Sequence, residues 1–175
     1  RVLLVEGDLR RPEMAGRFLD KPPQVGLATL LEGRVCDEQA ILKAVAPRLD
    51  VLPAGPLPLG FDFENLANGL FSGCLKRWKQ CYDLIIMDSP PVLPVADARI
   101  LAGQVDGTVM VLRAAHCARG GVLKAYADLA PAGGTHLGTV LVGGRPRDGC
   151  GYGYGYGAGV RVLETSAGKE TNGTE

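Results

Sequence analysis

The sequence predicts a three-layer α/β sandwich around a mostly parallel sheet. Two apolar runs, Val2–Val5 and Leu84–Met87, show no alternation, as strands buried on both faces would. Such runs alternate along the chain with stretches of helical spacing, the pattern of βαβ units with right-handed crossovers. At 175 residues and 46% hydrophobic, the chain is large enough for one domain with a real core. That domain is expected over residues 1–144, followed by a flexible tail over 145–175.

After the first strand, Pro12–Asp20 reads as a short helix with proline in its first turn, broken by Lys21-Pro22-Pro23. Gly26–Gly33 reads as another, closed by glycine. Asp37 can cap a third over Asp37–Val45, where Ile41, Leu42 and Val45 have helical spacing. Leu49–Pro53 is a strand, ended by Ala54-Gly55-Pro56. The longest helix is expected over Asp62–Gln80, because Phe63, Leu66, Leu70, Cys74 and Trp78 form one apolar stripe. That stripe belongs to the core. Val95–Gln104 and Arg119–Ala130 suit helices, and Gly107–Leu112 and Leu137–Val142 suit strands. Past Gly144 the composition turns to Gly, Arg, Thr, Lys and Glu, which is that of a disordered tail.

Bulk properties narrow the function. Lys plus Arg and Asp plus Glu number 19 each, a balance that speaks for neither a nucleic-acid partner nor a membrane surface. No apolar run nears the ~18 residues of a membrane span, and no signal peptide is visible. The five cysteines lie far apart without a Cys-x-x-Cys pair, which suits reduced cytosolic thiols and speaks against zinc. His116 and His136 are isolated, as surface or loop residues are. Arg1 passes directly into a strand with no methionine before it, as expected of a piece of a longer chain.

The chemistry concentrates at two strand ends. Leu84–Met87 stops at Asp88, and Ser89-Pro90-Pro91 ends the ladder. The carboxyl ends of strands are where open α/β sheets bind ligands. An apolar strand ending in Asp also describes a Walker B strand, whose carboxylate holds a nucleotide's magnesium. On its own, Asp88 fits a turn equally well. Val2–Val5 likewise runs into acid, Glu6-Gly7-Asp8. If the two strands are neighbours, Glu6, Asp8 and Asp88 meet at one edge and repel unless a cation or proton bridges them.

Together these residues resemble the bacterial protein-tyrosine kinases of capsular and exopolysaccharide synthesis, a branch of the deviant-Walker, MinD/ParA-like P-loop ATPases. The Walker A′ motif stands as Leu3-Leu4-Val5-Glu6-Gly7-Asp8-Leu9-Arg10-Arg11-Pro12. The Walker B strand ends Asp88-Ser89-Pro90-Pro91 and continues to Ala96-Asp97-Ala98. Gly26-Leu27, Leu30–Gly33, Leu52–Pro56 and the cluster Tyr152, Tyr154, Tyr156 also resemble this family. The similarity covers Arg1 to about Tyr156. The Gly-x-x-x-x-Gly-Lys-Ser/Thr phosphate loop does not occur in the 175 residues, and Gly168-Lys169 is followed by Glu170. Glu6 stands where the family has Asp, which lengthens its reach by ~1.5 Å.

The resemblance implies a cytoplasmic ATP-dependent tyrosine autokinase, held at the inner face of the membrane by a partner or a preceding segment. It implies ATP and Mg²⁺ as cofactors, with Asp88 and Asp8 serving the metal. Glu6 and Asp8 would share the orienting of its water shell and acceptance of the tyrosine proton, and which one is the base stays open. Arg10 is the family's arginine, and an ion pair with Asp8 or Asp88 is its simplest reading. Tyr152, Tyr154 and Tyr156 would accept phosphate in a ring-type homo-oligomer. A membrane polysaccharide co-polymerase would be the activating partner. Two other readings are a MinD/ParA-like ATPase switch and a non-catalytic scaffold or phosphorylation target.

The β- and γ-phosphates of a nucleotide need the backbone N–H groups and lysine of a phosphate loop. The 175-residue chain by itself is therefore expected to bind Mg-ATP weakly or not at all by calorimetry. Micromolar binding would contradict this.

Overall fold

The structure, a computed structural model, describes residues 1–114, 116–143 and 161–163. The chain divides into two compact units, Arg1–Gln104 and Val105–Glu175. The division falls inside the span expected to be one domain. Each unit holds its own sheet.

In the first unit the strands are β1 (Val2–Glu6), β2 (Leu42–Ala46), β3 (Leu49–Leu52) and β4 (Leu84–Asp88), ordered β2-β3-β1-β4. β1 pairs in parallel with both β3 and β4, and β2 joins β3 antiparallel. Four helices accompany them: α1 (Leu27–Leu31), α2 (Asp37–Ala40), α3 (Gly69–Trp78) and α4 (Asp97–Ala102). Leu3 and Val5 of β1 pack with Leu27, Leu31, Leu52, Leu66, Phe71 and Trp78 into one core. Phe71 and Trp78 meet edge to face, 6.3 Å between centroids.

In the second unit β5 (Gly107–Arg113) lies parallel to β6 (Thr135–Val142), and α5 (Arg119–Leu129) connects them. Residues Arg161–Leu163 form β7, antiparallel to β6, within the stretch expected to lack regular structure. Tyr152, Tyr154 and Tyr156 lie outside the described residues. No helix among the described residues is long and apolar enough to cross a membrane.

Four elements differ from the sequence expectation. Between Pro12 and Asp20 only the single turn Ala15–Arg17 forms, because Glu6 takes the Met14 N–H and pins the segment at its start. The third helix ends at Ala40, and Leu42–Ala46 becomes a strand. Pairing with β3 overrides a spacing that short apolar runs share between helix and strand. The long helix is split in two: Asp62 caps a turn at Phe63–Leu66, and Asn68 starts α3 by accepting the Leu70 N–H at 3.0 Å. Leu70 is consequently exposed. Finally, β4 is not buried on both faces: Leu84 and Ile86, on the face shared with the half-buried Val2 and Leu4, are 52% and 47% exposed.

The carboxyl-end loop after β3 is set by a contact between two backbones. Leu27 and Ala28 donate their N–H groups to the carbonyls of Pro53 and Ala54, at 2.8 and 2.9 Å. A Cβ on Gly55 would stand 2.5 Å from the Gly26 nitrogen, and one on Gly26 would stand 2.3 Å from the Pro53 oxygen. Gly55 and Gly33 share the same left-handed backbone, φ +72° and +71°, but Gly33 faces open space. Comparing Gly55→Ala with Gly33→Ala therefore isolates the close approach. Gly55→Ala is expected to cost about 1–3 kcal/mol more, the usual range for overpacking, measured by urea unfolding. Equal losses would mean that only backbone strain matters at both positions.

Candidate active site

The site is built where β1 and β4 end. Their parallel register runs from Val2 opposite Leu84 to Glu6 opposite Asp88, so both acids leave the sheet at one edge. The chains stay together one residue further, where the Gly7 N–H donates to the Asp88 carbonyl at 2.9 Å. A Cβ on Gly7 would lie 2.5 Å from that oxygen. The position between the two A′ acids is thus open only to glycine in this backbone.

Asp8 follows on the loop. Its Oδ1 accepts the N–H groups of Arg10 and Arg11, at 3.0 and 2.9 Å. This is the local turn that aspartate side chains make with their own backbone. Its Oδ2 takes no hydrogen bond from the described residues. Glu6 is different: fully buried, it accepts the Met14 N–H through Oε1 and the Ala54 N–H through Oε2, the latter at 2.9 Å.

Arg10 pairs with neither Asp8 nor Asp88 through its side chain. Its guanidinium grips Asp97 with two hydrogen bonds, 2.7 and 3.2 Å, and lies over the Phe63 ring at 3.7 Å from the centroid. Asp97 opens α4 and is buried. A buried carboxylate needs a partner of this kind, and a bidentate guanidinium is the strongest available. The pair ties the A′ loop to the segment that follows β4.

Asp88 is exposed at its edge, yet its pKa is raised above the ordinary carboxylate value. The surrounding protein is the main cause, Asp8 and Glu6 add to it, and a hydrogen bond from the Ser89 backbone opposes it.

This geometry has close counterparts. No family model matches the chain. The tyrosine-protein kinase YwqD of Bacillus subtilis (strain 168) is 35% identical over 147 residues, which cover 82% of this chain and 60% of that protein. The kinase domain of VpsO superposes with a TM-score of 0.74 at 32% identity, over 80% of this chain and 68% of that one. The chain belongs to the bacterial tyrosine-protein kinase family. The cell division ATPase MinD of Pyrococcus furiosus, at 27% identity and a TM-score of 0.66, covers 80% of this chain and 58% of its own. That likeness places the kinase fold among P-loop ATPases. The chain spans about three fifths of the length of YwqD and of the tyrosine-protein kinase CpsD of Streptococcus agalactiae.

Asp8 and Asp88 stand close enough for each charge to act on the other, and carboxylates are the hard oxygen ligands a divalent cation such as Mg²⁺ takes. Among the described residues no group of three or more acidic, histidine or cysteine side chains forms a cage. Mg²⁺ rarely uses one, because it keeps several waters and takes one or two carboxylates together with phosphate oxygens. Asp8 and Asp88 provide that number.

Three features escaped the sequence reading. Gly7 read as an unspecified motif position, and only the close approach to Asp88 explains it. Phe63 read as core, yet it is the platform for Arg10. Asp50, at the far end of the strands, read as an ordinary strand residue. It is buried, and its carboxylate accepts the Tyr82 hydroxyl (2.7 Å), the Arg1 guanidinium (2.8 Å) and the Ala44 N–H (2.8 Å). Burial works to raise its pKa, but these three bonds hold it down at about 2. Tyr82 is buried as its place before β4 suggests.

The raised pKa of Asp88 carries a sign. Native Asp88 takes up a proton more readily than an unfolded aspartate, so its charge works against the fold at neutral pH. The penalty is absent below the ordinary pKa, grows as pH rises from there, and is complete above the folded pKa. Asp88→Asn is therefore expected to melt no lower than the parent at pH 7, with the difference closing in acid. A clear loss of melting temperature at pH 7 would show that native bonds hold the carboxylate.

Proposed function

We propose that the protein is an ATP-dependent tyrosine autokinase that regulates the synthesis and export of capsule or exopolysaccharide. The observation that carries this reading is the register that sets Glu6 opposite Asp88, with Asp8 on the following loop. When bound, Mg²⁺ and ATP supply a charge-neutralised γ-phosphoryl group. Asp8 and Asp88 would hold the metal's water shell, and an A′ acid would accept the proton of the incoming tyrosine. An O–P bond forms to the tyrosine as the bond from the γ-phosphorus to the β-bridging oxygen breaks. A tyrosine hydroxyl, with pKa near ~10, needs such a base at neutral pH. Arg10, fixed by Asp97 and Phe63, keeps the A′ loop in place.

Tyr152, Tyr154 and Tyr156 are the acceptors in this reading. Glycine on either side lets each enter a neighbour's cleft, and each phosphate adds about −1.5 to −2 charge beside Arg145, Arg147 and Arg161. Transfer passes between subunits of a homo-oligomer at the cytoplasmic face of the membrane, under a polysaccharide co-polymerase partner, as the family resemblance implies. The likeness to MinD favours one alternative, a positional ATPase switch, whose mark is partner-stimulated hydrolysis that needs no tyrosine.

Mixing two full-length chains tests the reading. One carries Asp88→Asn with its tyrosines intact, and the other is active but has Tyr152, Tyr154 and Tyr156 changed to Phe. Phosphopeptide mapping is expected to find label on the three tail tyrosines of the Asp88→Asn chain. Label confined to Tyr82 or Tyr126, or none on that chain, would contradict it.

A further inference from the structure

The geometry points to Glu6 as a positioning residue that locks the loops of the site together, leaving Asp8 as the A′ acid that takes the tyrosine proton. This rests on the kinase reading above. Glu6 is fully buried, and both its oxygens accept main-chain N–H groups, from Met14 and Ala54. Charge-assisted bonds of this kind are short and orienting, and they hold the carboxylate away from a substrate. Asp8, half-buried two residues on, uses Oδ1 for main-chain donors, and its Oδ2 takes no hydrogen bond from the described residues.

The two donors sit on different loops. Met14 begins the turn after the A′ loop, and Ala54 lies on the loop after β3. Through the Pro53 and Ala54 carbonyls that second loop also anchors the start of α1. Glu6 therefore joins the end of β1 directly to two other segments and, through the second of them, to the start of α1. The residue type fits this task. An aspartate would fall short by one C–C bond, ~1.5 Å, of two donors fixed on separate loops. Releasing them would leave the buried Ala54 N–H and the partly buried Met14 N–H without their acceptor and let the loop bearing Asp8 shift. A misplacement of about 1 Å costs on the order of 100-fold in rate.

The test uses the full-length protein with Glu6→Asp, Met14→Pro and Asp8→Asn. Met14 has φ −68° and Glu13 before it is outside any helix, so proline fits the backbone and removes one donor without altering the carboxylate. Tyrosine transfer gives kcat and KM, and amide hydrogen exchange reads the Ala54 N–H. Glu6→Asp and Met14→Pro are each expected to lower kcat/KM by roughly 10–100-fold, with faster exchange at Ala54. Asp8→Asn is expected to lose more, about 1000-fold, mainly in kcat. A catalytic Glu6 gives the opposite: aspartate, the family's own acid, works as well or better, and Met14→Pro transfers at the parent rate. Either result overturns the proposal, as does an Asp8→Asn protein that keeps its activity. If the parent itself transfers nothing to tyrosine, the kinase reading fails. Exchange at Ala54 still decides whether Glu6 clamps the loops, and unchanged exchange in both clamp variants overturns it.

Discussion

Parallel pairing of β1 with β4 is the constraint on which the site depends. Glu6 stands opposite Asp88, and Gly7 continues the pairing onto the Asp88 carbonyl. Two strands that could each have ended in an ordinary polar loop instead release their acids at one edge. Shifting the register by one residue would turn every side chain of a strand to the other face. It would take Leu3 and Val5, both fully buried, out of the core. The hydrophobic pattern and the chemistry are therefore secured by the same pairing.

Polar groups then fix the loops that leave this edge. Glu6 reaches to Met14 and Ala54, Arg10 to Asp97 and Phe63, and Gly26 and Gly55 touch backbone to backbone. Each link joins segments far apart in sequence. Catalysis of phosphoryl transfer is mostly positioning and electrostatics, and a scaffold of this kind supplies the first. At the opposite end of the strands, Asp50 gathers Tyr82, Arg1 and the left-handed Ala44. The two acids have different surroundings: Asp50 is met by donors and its pKa falls, whereas Asp88 is desolvated by the protein around it, with Asp8 and Glu6 adding to the effect, and its pKa rises.

Much of this was legible in the sequence. The apolar runs mark β1 and β4 because a strand ending in acid and proline leaves few alternatives, and the A′ and B motifs name Glu6, Asp8 and Asp88. Local signals failed where tertiary pairing decides. Leu42–Ala46 has a helix-like spacing and became a strand against β3, and one face of β4, that of Leu84 and Ile86, is left largely uncovered. The division of labour between Glu6 and Asp8 could not be read either. Nothing in a motif tells which carboxylate meets main-chain donors 8 and 48 residues away. Asp97, three residues past Pro94, read as a family continuation and proved to be the partner of Arg10.

The most direct measurement is the structure of the full-length protein with Mg²⁺ and a non-hydrolysable ATP analogue. The expected result has the metal one water away from Asp8 and from Asp88, with Glu6 still on the N–H groups of Met14 and Ala54. A metal bound away from Asp8 and Asp88, or Glu6 turned from its donors onto the metal, would contradict it.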